Sequence, residues 1–240
     1  MSLPYRNYLF DLYGTLTDIR TDERGRALWE KTALYYGENG APYGASELRR
    51  AYLRLCAAEQ ARRRDPLYEI ELRKVFRALY EEKGITPDRR RVEDTALFFR
   101  LHSLKKLRRY PWVEPVFAGL RQQGARLYLL SNAQACFTRP ELRVLGLAEA
   151  FDGVVLSSDA RVKKPSPKIM RRLLEAYALD PAECLMVGND QHCDVAAAHA
   201  VDMDALYLQT ETSGVYDPAL KARFELTDGD FSRLPALLGL

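Results

Sequence analysis

Cysteine and histidine are scarce in this sequence, and the few present do not form metal or disulfide motifs. The 240 residues include four cysteines and three histidines, with no CxxC or HExxH pattern among them. A structural zinc site, a zinc hydrolase and a disulfide framework are therefore not expected. The chain also has no apolar run of roughly 20 residues, the length that a membrane-spanning helix needs.

The beginning of the chain carries no sign of export. The segment MSLPYRNYLF has neither the apolar stretch nor the small-residue cleavage site of a secretory signal peptide. Apolar residues make up 47% of the sequence and charged residues 29%, which is typical of globular proteins rather than of disordered or collagen-like ones. We therefore expect a cytoplasmic protein that does not enter the membrane.

Positive charge is concentrated in one part of the chain. The formal net charge is only +3, which is too small to indicate a nucleic-acid partner. Residues 17–110 hold 22 basic and 15 acidic side chains, whereas the rest of the chain holds 14 and 18. Most of these arginines fit the solvated faces of helices, but the excess also favours attraction of anions. We expect a small anionic substrate, and the oligomeric state stays open.

Apolar spacing divides the chain into a helical segment and an alternating segment. Between residues 25 and 107, apolar residues recur three and four positions apart, which predicts roughly four helices and no strand. A short apolar run before them predicts a buried strand at 8–10. After residue 110 the predicted strands are 126–131, 153–158, 184–187 and 204–208. The predicted helices that separate or follow them are 114–123, 139–146, 167–178, 193–200 and 231–238.

Strands that alternate with helices predict a parallel sheet with right-handed crossovers. The helical segment separates the first strand from the others. The sequence therefore predicts an α/β fold with a doubly wound, parallel-sheet (Rossmann-like) core formed by residues 1–16 and 111–240. An all-helical cap domain, residues 17–110, is expected to be inserted into this core.

Polar side chains follow several of the predicted strands. In an open parallel sheet, ligands bind beyond the carboxyl ends of the strands. The polar residues at those ends and in the following loops are Asp11, Tyr13, Thr15, Ser131, Asn132, Lys164, Asn189, Asp190 and Asp194. A carboxylate in such a set can attack an electrophile and form a covalent intermediate, while a lysine and a hydroxyl stabilise the developing charge. Further carboxylates near that nucleophile favour a hard cation such as Mg²⁺.

Four short segments in this set resemble the motifs of the haloacid dehalogenase (HAD) superfamily. They are FDLYGTLT at 10–17, LLSN at 129–132, KPSP at 164–167 and VGND at 187–190, the last of which is followed by Asp194. The resemblance covers nearly the whole chain, and the helical insertion falls where that superfamily places its type-one cap. It implies a hydrolase with the HAD fold.

The resemblance also implies roles for individual residues. Asp11 would be the nucleophile, and Ser131 would bind the transferring group. Lys164 would hold both the nucleophile and the substrate anion. Thr15 ties the loop together and, like Asn132, is a candidate for substrate binding.

A magnesium site is implied on the other side of the nucleophile. Its ligands would include Asp11 and the backbone carbonyl of Tyr13, with Asp194 on the same side. Asn189 and Asp190 compete for one further position in this site. The cofactor expected from the resemblance is therefore Mg²⁺.

One residue departs from the phosphatase pattern of the superfamily. HAD phosphatases usually read DxDGT, and the second aspartate protonates the leaving group and then activates water. Tyr13 occupies that position here, and a tyrosine with an ordinary pKa of about 10 is a poor proton shuttle at neutral pH. Tyr13 is still a catalytic candidate as a hydrogen-bond donor to the substrate, and the alternative is a structural residue that packs under the cap. The DxYGT form is typical of 2-haloacid dehalogenases, which attack carbon with the aspartate and use no metal.

Three functions therefore remain open. The first is a Mg²⁺-dependent phosphatase that acts on a small phosphorylated metabolite through an aspartyl intermediate. The acidic pair Asp190 and Asp194 favours this reading, since dehalogenases tend to have serine and asparagine in the last motif. The second is a metal-free 2-haloacid dehalogenase, and the third is a weakly active binding or regulatory protein with the HAD fold.

Overall fold

The computed structural model describes residues 5–240, so residues 1–4 of the predicted core segment lie outside the described residues. In that part of the chain the strands are β1 (Asn7–Phe10), β2 (Thr17–Thr21), β3 (Leu104–Arg109), β4 (Arg126–Ser131), β5 (Gly153–Leu156), β6 (Cys184–Gly188), β7 (Asp204–Leu208) and β8 (Phe224–Leu226). The α-helices are α1 (Arg26–Glu38), α2 (Ala45–Ala61), α3 (Leu72–Glu81), α4 (Arg89–Ser103), α5 (Val113–Gln122), α6 (Ala135–Val144), α7 (Ser157–Ala160), α8 (Pro167–Tyr177), α9 (Ala196–His199) and α10 (Leu234–Leu237). Within residues 5–240, none of these helices has the length and apolar character needed to cross a membrane.

The predicted parallel sheet is confirmed. Six strands pair in the order β5-β4-β1-β6-β7-β8, and every pair is parallel. β1 therefore lies in the middle of the sheet, between β4 and β6, although the helical segment separates it from them in sequence. The predicted strands 126–131 and 204–208 match β4 and β7 residue for residue.

Two details of the sheet differ from the sequence prediction. The strand predicted at 153–158 ends at Leu156, because the short helix α7 begins at Ser157. β8 was not predicted at all. It has only three residues at the edge of the sheet, too few to show an alternating pattern.

Both faces of the sheet are covered, which explains why its strands are largely apolar. In β1, Tyr8 and Phe10 belong to one buried cluster, whereas Leu9 between them belongs to a second. Successive side chains of a strand point to opposite faces, so these clusters lie on the two sides of the sheet. Parallel sheets buried on both faces have such continuous hydrophobic strands.

The segment between β1 and α5 is not entirely helical, and the prediction is wrong in this respect. Helices α1 to α4 pack around their own buried cluster, which includes Trp29, Phe76 and Phe99. β2 and β3, at the two ends of the segment, pair antiparallel. Opposite charges pair across these strands, where Asp18 on β2 binds Lys106 and Arg108 on β3. This pairing is long-range and therefore leaves no local pattern in the sequence.

The helices predicted near the end of the chain are shorter and less regular than expected. The helix predicted at 193–200 consists of a π-helical turn, Gln191–Val195, followed by the four-residue α9. The helix predicted at 231–238 consists of a 3₁₀ turn, Phe231–Arg233, followed by α10. The π-helical turn matters for the site because only two residues separate it from the end of β6, and it contains Asp194.

Leu9 is a direct test of how strongly the central strand depends on its packing, because it is completely buried. We expect Leu9→Ala to lower the free energy of unfolding by about 2–5 kcal/mol, since it removes buried methyl groups and leaves a cavity. Leu34→Ala on α1 is the control, because Leu34 is 66% exposed, and it should change stability by less than about 0.5 kcal/mol. Urea denaturation measures both, and equal losses would contradict the placement of β1 at the centre of the core.

Candidate active site

The carboxyl ends of β1, β4 and β6 border an open cavity of about 250 Å³, called here the Asp11 cavity. The lining residues are Asp11, Tyr13, Gly14, Ile19, Ser131, Asn132, Lys164, Asn189, Asp190, Cys193, Asp194 and Thr212. The sequence predicted nine site residues, and the cavity brings together all of them except Thr15. Its position matches the rule that parallel sheets bind ligands beyond the carboxyl ends of their strands.

Lys164 is the buried centre of this site, with only 2% of its surface exposed. Its ammonium group donates to Asp11 Oδ1 at 2.7 Å, to Asp194 Oδ1 at 2.6 Å and to the backbone carbonyl of Leu130 at 2.8 Å. An ammonium group has three N–H donors, so all of them are used. One cation is thus shared by two carboxylates that come from distant parts of the chain.

The charges of this group depend on one another. Burial alone would lower the pKa of Lys164, but the carboxylates of Asp11 and Asp194 outweigh it and hold that pKa above its ordinary value. Burial raises the pKa of Asp194, and the positive charge of Lys164 opposes that rise. The ionised form of the Asp194 carboxylate therefore depends on Lys164.

Asp11 has a different environment at each of its two carboxylate oxygens. Oδ1 accepts hydrogen bonds from Lys164 and, at 3.0 Å, from the Ser131 hydroxyl. Oδ2 accepts from the Thr15 hydroxyl at 3.3 Å. Asp11 is 7% exposed and lines the cavity. The carboxylate is therefore fixed in orientation and lies next to space that a small molecule can enter.

The loop after β1 owes its shape to Gly14. The backbone N–H groups of Thr15, Leu16 and Thr17 all bond to the carbonyl of Leu12, at 2.9–3.3 Å, which closes a tight turn. Gly14 has a φ of +84°, a conformation that side chains disfavour. A Cβ atom at Gly14 would also lie in the space of the Thr212 and Asn189 side chains. The sequence DLYGT therefore fits this turn because of its glycine.

The Asn189 side chain points toward Asp11, with Thr15 between them. Asn189 Nδ2 donates to the hydroxyls of Thr210 at 3.3 Å and Thr212 at 3.1 Å. This fixes the amide so that its Oδ1 faces the Thr15 hydroxyl at 3.0 Å. Asn189 Oδ1 and Asp11 Oδ2 are thus both within reach of the same hydroxyl group.

The two acidic residues of the same segment have other contacts. Asp194 Oδ2 accepts the backbone N–H of Asp190 at 3.0 Å, so both Asp194 oxygens have donors. The exposed Asp190 side chain accepts the N–H of Cys193 at 3.0 Å and begins the π-helical turn. Gly188 has to be a glycine, because a Cβ atom there would collide with the Asp194 carboxylate. Asp194 is placed to orient Lys164, and Asp190 to cap the turn.

Two residues predicted to contact substrate make contacts within the protein instead. Asn132 Oδ1 accepts the backbone N–H of Lys164 at 2.7 Å, and its Nδ2 donates to the Lys164 carbonyl at 3.0 Å. Asn132 lines the cavity, but its amide is used to hold the Lys164 backbone. Thr15 is completely buried, and its hydroxyl bonds to Asp11 and Asn189, so its contact with a substrate stays a prediction.

The Tyr13 hydroxyl is bonded to helix α6 rather than to the groups around Asp11. It donates to the Glu141 carboxylate and lies 2.9 Å from the Thr138 hydroxyl. Burial, together with the negative charge of Glu141, raises the pKa of Tyr13 far above its ordinary value. The phenol therefore stays protonated, and it donates its proton to Glu141.

A second cavity of about 380 Å³, called here the interface cleft, lies between the helical segment and the core. It shares three wall residues, Tyr13, Ile19 and Asn132, with the Asp11 cavity, so the two adjoin. Its other lining residues are Thr21, Glu23, Glu69, Leu72, Arg100, Ala133, Gln134 and Phe137. A ligand bound at Asp11 can therefore extend under the helical segment.

Sequence reasoning missed several residues of this neighbourhood. Thr212 follows the end of β7, so the same strand-end rule that found Asn132 would have included it. Arg100 and Glu141 lie inside helices and belong to no motif, and they meet only because the helical segment packs on α6. No local signal could have identified that pair.

The oxygens around Asp11 fit a magnesium ion in chemical type. Asp11 Oδ2 and Asn189 Oδ1 share one hydroxyl, which has a single proton, so this buried position holds more acceptors than donors. Within residues 5–240, no three His, Cys, Asp or Glu side chains lie close enough to hold a metal ion together. Mg²⁺ usually keeps several waters and uses only one or two carboxylates plus substrate phosphates, so a sparse set of protein ligands suits it.

Comparison with known families places the chain in a hydrolase class. Residues 5–202 match the family model described as haloacid dehalogenase-like hydrolase, which is most of the chain. The chain therefore belongs to the haloacid dehalogenase-like hydrolase family. The motif residues that suggested this family are the same ones that surround Lys164 in the structure.

The curated relatives that match include phosphatases from several organisms. The chain is 35% identical over 135 residues to a phosphoserine phosphatase of Thermus thermophilus, which covers 56% of this chain and 53% of that protein. It is 29% identical over 190 residues to a glyceraldehyde 3-phosphate phosphatase of Methanothermobacter thermautotrophicus, covering 72% of this chain and 84% of that one. The chain spans about half the length of the first relatives that it matches.

Solved structures with the same fold belong to proteins that are named for different reactions. A 2-haloacid dehalogenase from Pseudomonas syringae superposes with a TM-score of 0.68 over 98% of both chains, at 22% identity. A HAD phosphatase from Thermococcus onnurineus gives 0.61 over the same share of both chains, also at 22% identity. The likeness supports the fold, and it does not choose between the two reactions.

Lys164 should be essential for the stability of the site as well as for its chemistry. We expect Lys164→Met to lower the free energy of unfolding by about 3–5 kcal/mol, because the buried carboxylates of Asp11 and Asp194 lose their cation. Adding Asp194→Asn to this variant should recover part of the loss, since it removes one of the two carboxylates.

Lys163→Met is the matched control for this experiment. Lys163 is the neighbouring lysine, and it forms no ion pair with Asp11 or Asp194. Urea denaturation of all three variants measures the effect. Equal stabilities of Lys163→Met and Lys164→Met would show that the buried cation does not hold the site together.

Proposed function

We propose that this protein is a Mg²⁺-dependent phosphatase that hydrolyses a small phosphorylated metabolite through a covalent intermediate on Asp11. The observation that carries the proposal is the arrangement of Lys164 and Ser131, both bonded to Asp11 Oδ1 at the wall of an open cavity. The phosphatase names of the curated relatives support the choice of a phosphate ester as substrate.

The first chemical step would be attack of the Asp11 carboxylate on phosphorus. The bond from phosphorus to the leaving oxygen breaks, and an acyl phosphate forms on Asp11. The positive charge of Lys164 and the Ser131 hydroxyl both lie beside the Asp11 carboxylate, where they stabilise the negative charge that develops on the phosphoryl group. Water attacks the phosphorus of this intermediate in the second step, which releases phosphate and restores the carboxylate.

Two further residues keep Lys164 in position during both steps. Asp194 accepts a hydrogen bond from its ammonium group, and the Asn132 amide bonds to both its backbone N–H and its backbone carbonyl. A lysine held by so many contacts loses little freedom when the substrate binds, which lowers the cost of ordering the site.

Asp11 Oδ2 and Asn189 Oδ1, with the backbone carbonyl of Tyr13, would hold the magnesium ion. When bound, Mg²⁺ supplies positive charge that offsets the repulsion between a phosphate dianion and the Asp11 carboxylate. Asn189 rather than Asp190 takes the contested position, because Thr210 and Thr212 turn its oxygen toward Asp11.

Residues 17–110 would act as a cap over this site. The loop before α3 and the first residue of α3 bond to the core, where the Ser157 hydroxyl donates to Glu69 at 2.9 Å and Leu72 N–H donates to Gln134 at 3.0 Å. The interface cleft beneath the cap would bind the leaving group of the substrate. Caps of this kind exclude water from the reaction and set substrate choice.

A metal-free 2-haloacid dehalogenase is the second candidate, and Tyr13 is the observation that favours it. The Tyr13 proton is committed to Glu141, and a halide leaving group needs no proton. The same residue limits a phosphatase to substrates whose leaving group departs without help from an acid. The two functions therefore differ in their electrophile and in their need for metal.

A substrate panel with and without metal distinguishes these functions. We expect release of phosphate from aryl phosphates in the presence of Mg²⁺, its loss in excess EDTA, and no halide release from 2-chloropropionate under either condition. Asp11→Asn should abolish the activity, by a factor of at least about 1,000, because the nucleophile is lost. Metal-independent halide release would select the dehalogenase, and a folded protein inactive on both panels would favour the binding protein.

The committed Tyr13 hydroxyl predicts a strong dependence on the leaving group. We expect kcat/KM for p-nitrophenyl phosphate to exceed that for an alkyl phosphate such as glycerol phosphate by more than about 100-fold, since general acid catalysis contributes roughly that much. A series of substituted phenyl phosphates gives the dependence of the rate on the pKa of the leaving group. Similar rates for alkyl and aryl phosphates would reveal a proton donor that this account does not contain.

A further inference from the structure

A buried ion pair joins the helical segment to the core directly beside the loop that carries Asp11. Arg100 on α4 bonds to Glu141 on α6, with Nε to Oε1 at 2.5 Å and Nη2 to Oε2 at 3.4 Å. Arg100 is 7% exposed and Glu141 is 5% exposed. Opposite charges buried this deeply depend on each other, since either one alone would be costly in that environment.

Tyr13 connects this pair to the catalytic loop. Its hydroxyl donates to Glu141, and the Arg100 guanidinium lies 5.7 Å from the centre of its ring. The Glu141 carboxylate is thus shared between the helical segment, through Arg100, and the loop after β1, through Tyr13. Tyr13 is only two residues from Asp11, and its backbone belongs to the tight turn around Gly14.

A different ion pair on the same interface offers a comparison. Arg161 of the core binds Glu71 at the start of α3, so this pair also joins the helical segment to the core. Neither of these residues lines the Asp11 cavity or the interface cleft. The interface therefore includes the Arg100–Glu141 pair, which contacts the catalytic loop, and the Arg161–Glu71 pair, which does not.

We propose that Arg100 is a positioning residue that couples the seating of the helical segment to the geometry of the Asp11 loop, through Glu141 and Tyr13. When the helical segment sits on the core, Arg100 fixes the Glu141 carboxylate, and that carboxylate fixes the phenol of Tyr13. When the segment moves away, Glu141 loses its positively charged partner, and the loop after β1 loses a fixed contact for Tyr13. Phosphatases of this superfamily have their proton shuttle at the position of Tyr13. In this protein, Tyr13 instead makes the geometry of the Asp11 loop depend on closure of the helical segment over the core. The kinetic part of this inference rests on the proposed phosphatase function.

Arg100→Met tests the coupling by two independent measurements on the full-length protein. We expect kcat for p-nitrophenyl phosphate to fall by about 100-fold with KM changed by less than about threefold, because a small misplacement of the nucleophile costs rate rather than binding. We also expect faster hydrogen exchange of the Thr15, Leu16 and Thr17 amides, which close the turn. Arg161→Met should change neither quantity by more than about twofold.

Two double variants sharpen the test. Arg100→Met combined with Tyr13→Phe should lose no more rate than Arg100→Met alone, because the two residues act through the same path. Arg100→Met combined with Glu141→Leu removes both buried charges, so it should fold stably and still show the slower kcat and the faster exchange. This second variant keeps the test valid if Arg100→Met alone does not fold.

Two results would overturn the inference. One is equal effects of Arg100→Met and Arg161→Met on kcat and exchange, which would mean that the pair only stabilises the interface. The other is additive losses in Arg100→Met with Tyr13→Phe. A wild-type protein without phosphatase activity would refute the proposed function instead, and the exchange measurement would still decide whether Arg100 anchors the loop.

Discussion

The site depends on one buried ammonium group placed between two carboxylates. Lys164 is held by Asp11 from the central strand, by Asp194 from the turn after β6 and by the end of β4, so three strand ends are tied together by one cation. Without it, two carboxylates would lie buried side by side, which is unfavourable. The same contact that stabilises the fold at this edge also fixes the orientation of the Asp11 carboxylate beside the cavity.

The rest of the site is arranged around that contact in two layers. Thr15, Asn132 and Asp194 do not need to touch a substrate, since they hold the nucleophile and the lysine in place. Tyr13 and Glu141 form the outer layer and connect the loop to α6. Where phosphatases of the family have an aspartate that transfers a proton, this chain has Tyr13, whose hydroxyl attaches the loop to Glu141. If the proposed phosphatase function holds, this difference limits the chain to leaving groups that depart without an acid.

The sequence predicted the features that leave a local pattern. The mostly apolar strands β1, β4, β6 and β7 and the strand-end residues Asp11 and Ser131 could be predicted directly, because burial and position in a parallel sheet constrain them. Lys164 lies in the loop before α8, where its motif identified it. β2 and β3 were missed because their pairing joins residues about 90 positions apart, and the short edge strand β8 has no periodicity. The orientation of the Asn189 amide also depends on distant residues, Thr210 and Thr212, which no local pattern connects to it. Arg100 and Glu141 meet only through packing of the helical segment, so no sequence motif marks them.

The central claim is that Asp11 becomes phosphorylated during turnover, and the intermediate itself can be measured. The protein is mixed with p-nitrophenyl phosphate and Mg²⁺, quenched in acid within the first turnover, and the peptide that contains Asp11 is analysed by mass spectrometry. The account predicts a phosphoryl group on Asp11 that forms as fast as nitrophenolate is released and is absent from Lys164→Met. Nitrophenolate release without any phosphoryl group on Asp11, or with the group on another residue, would contradict it.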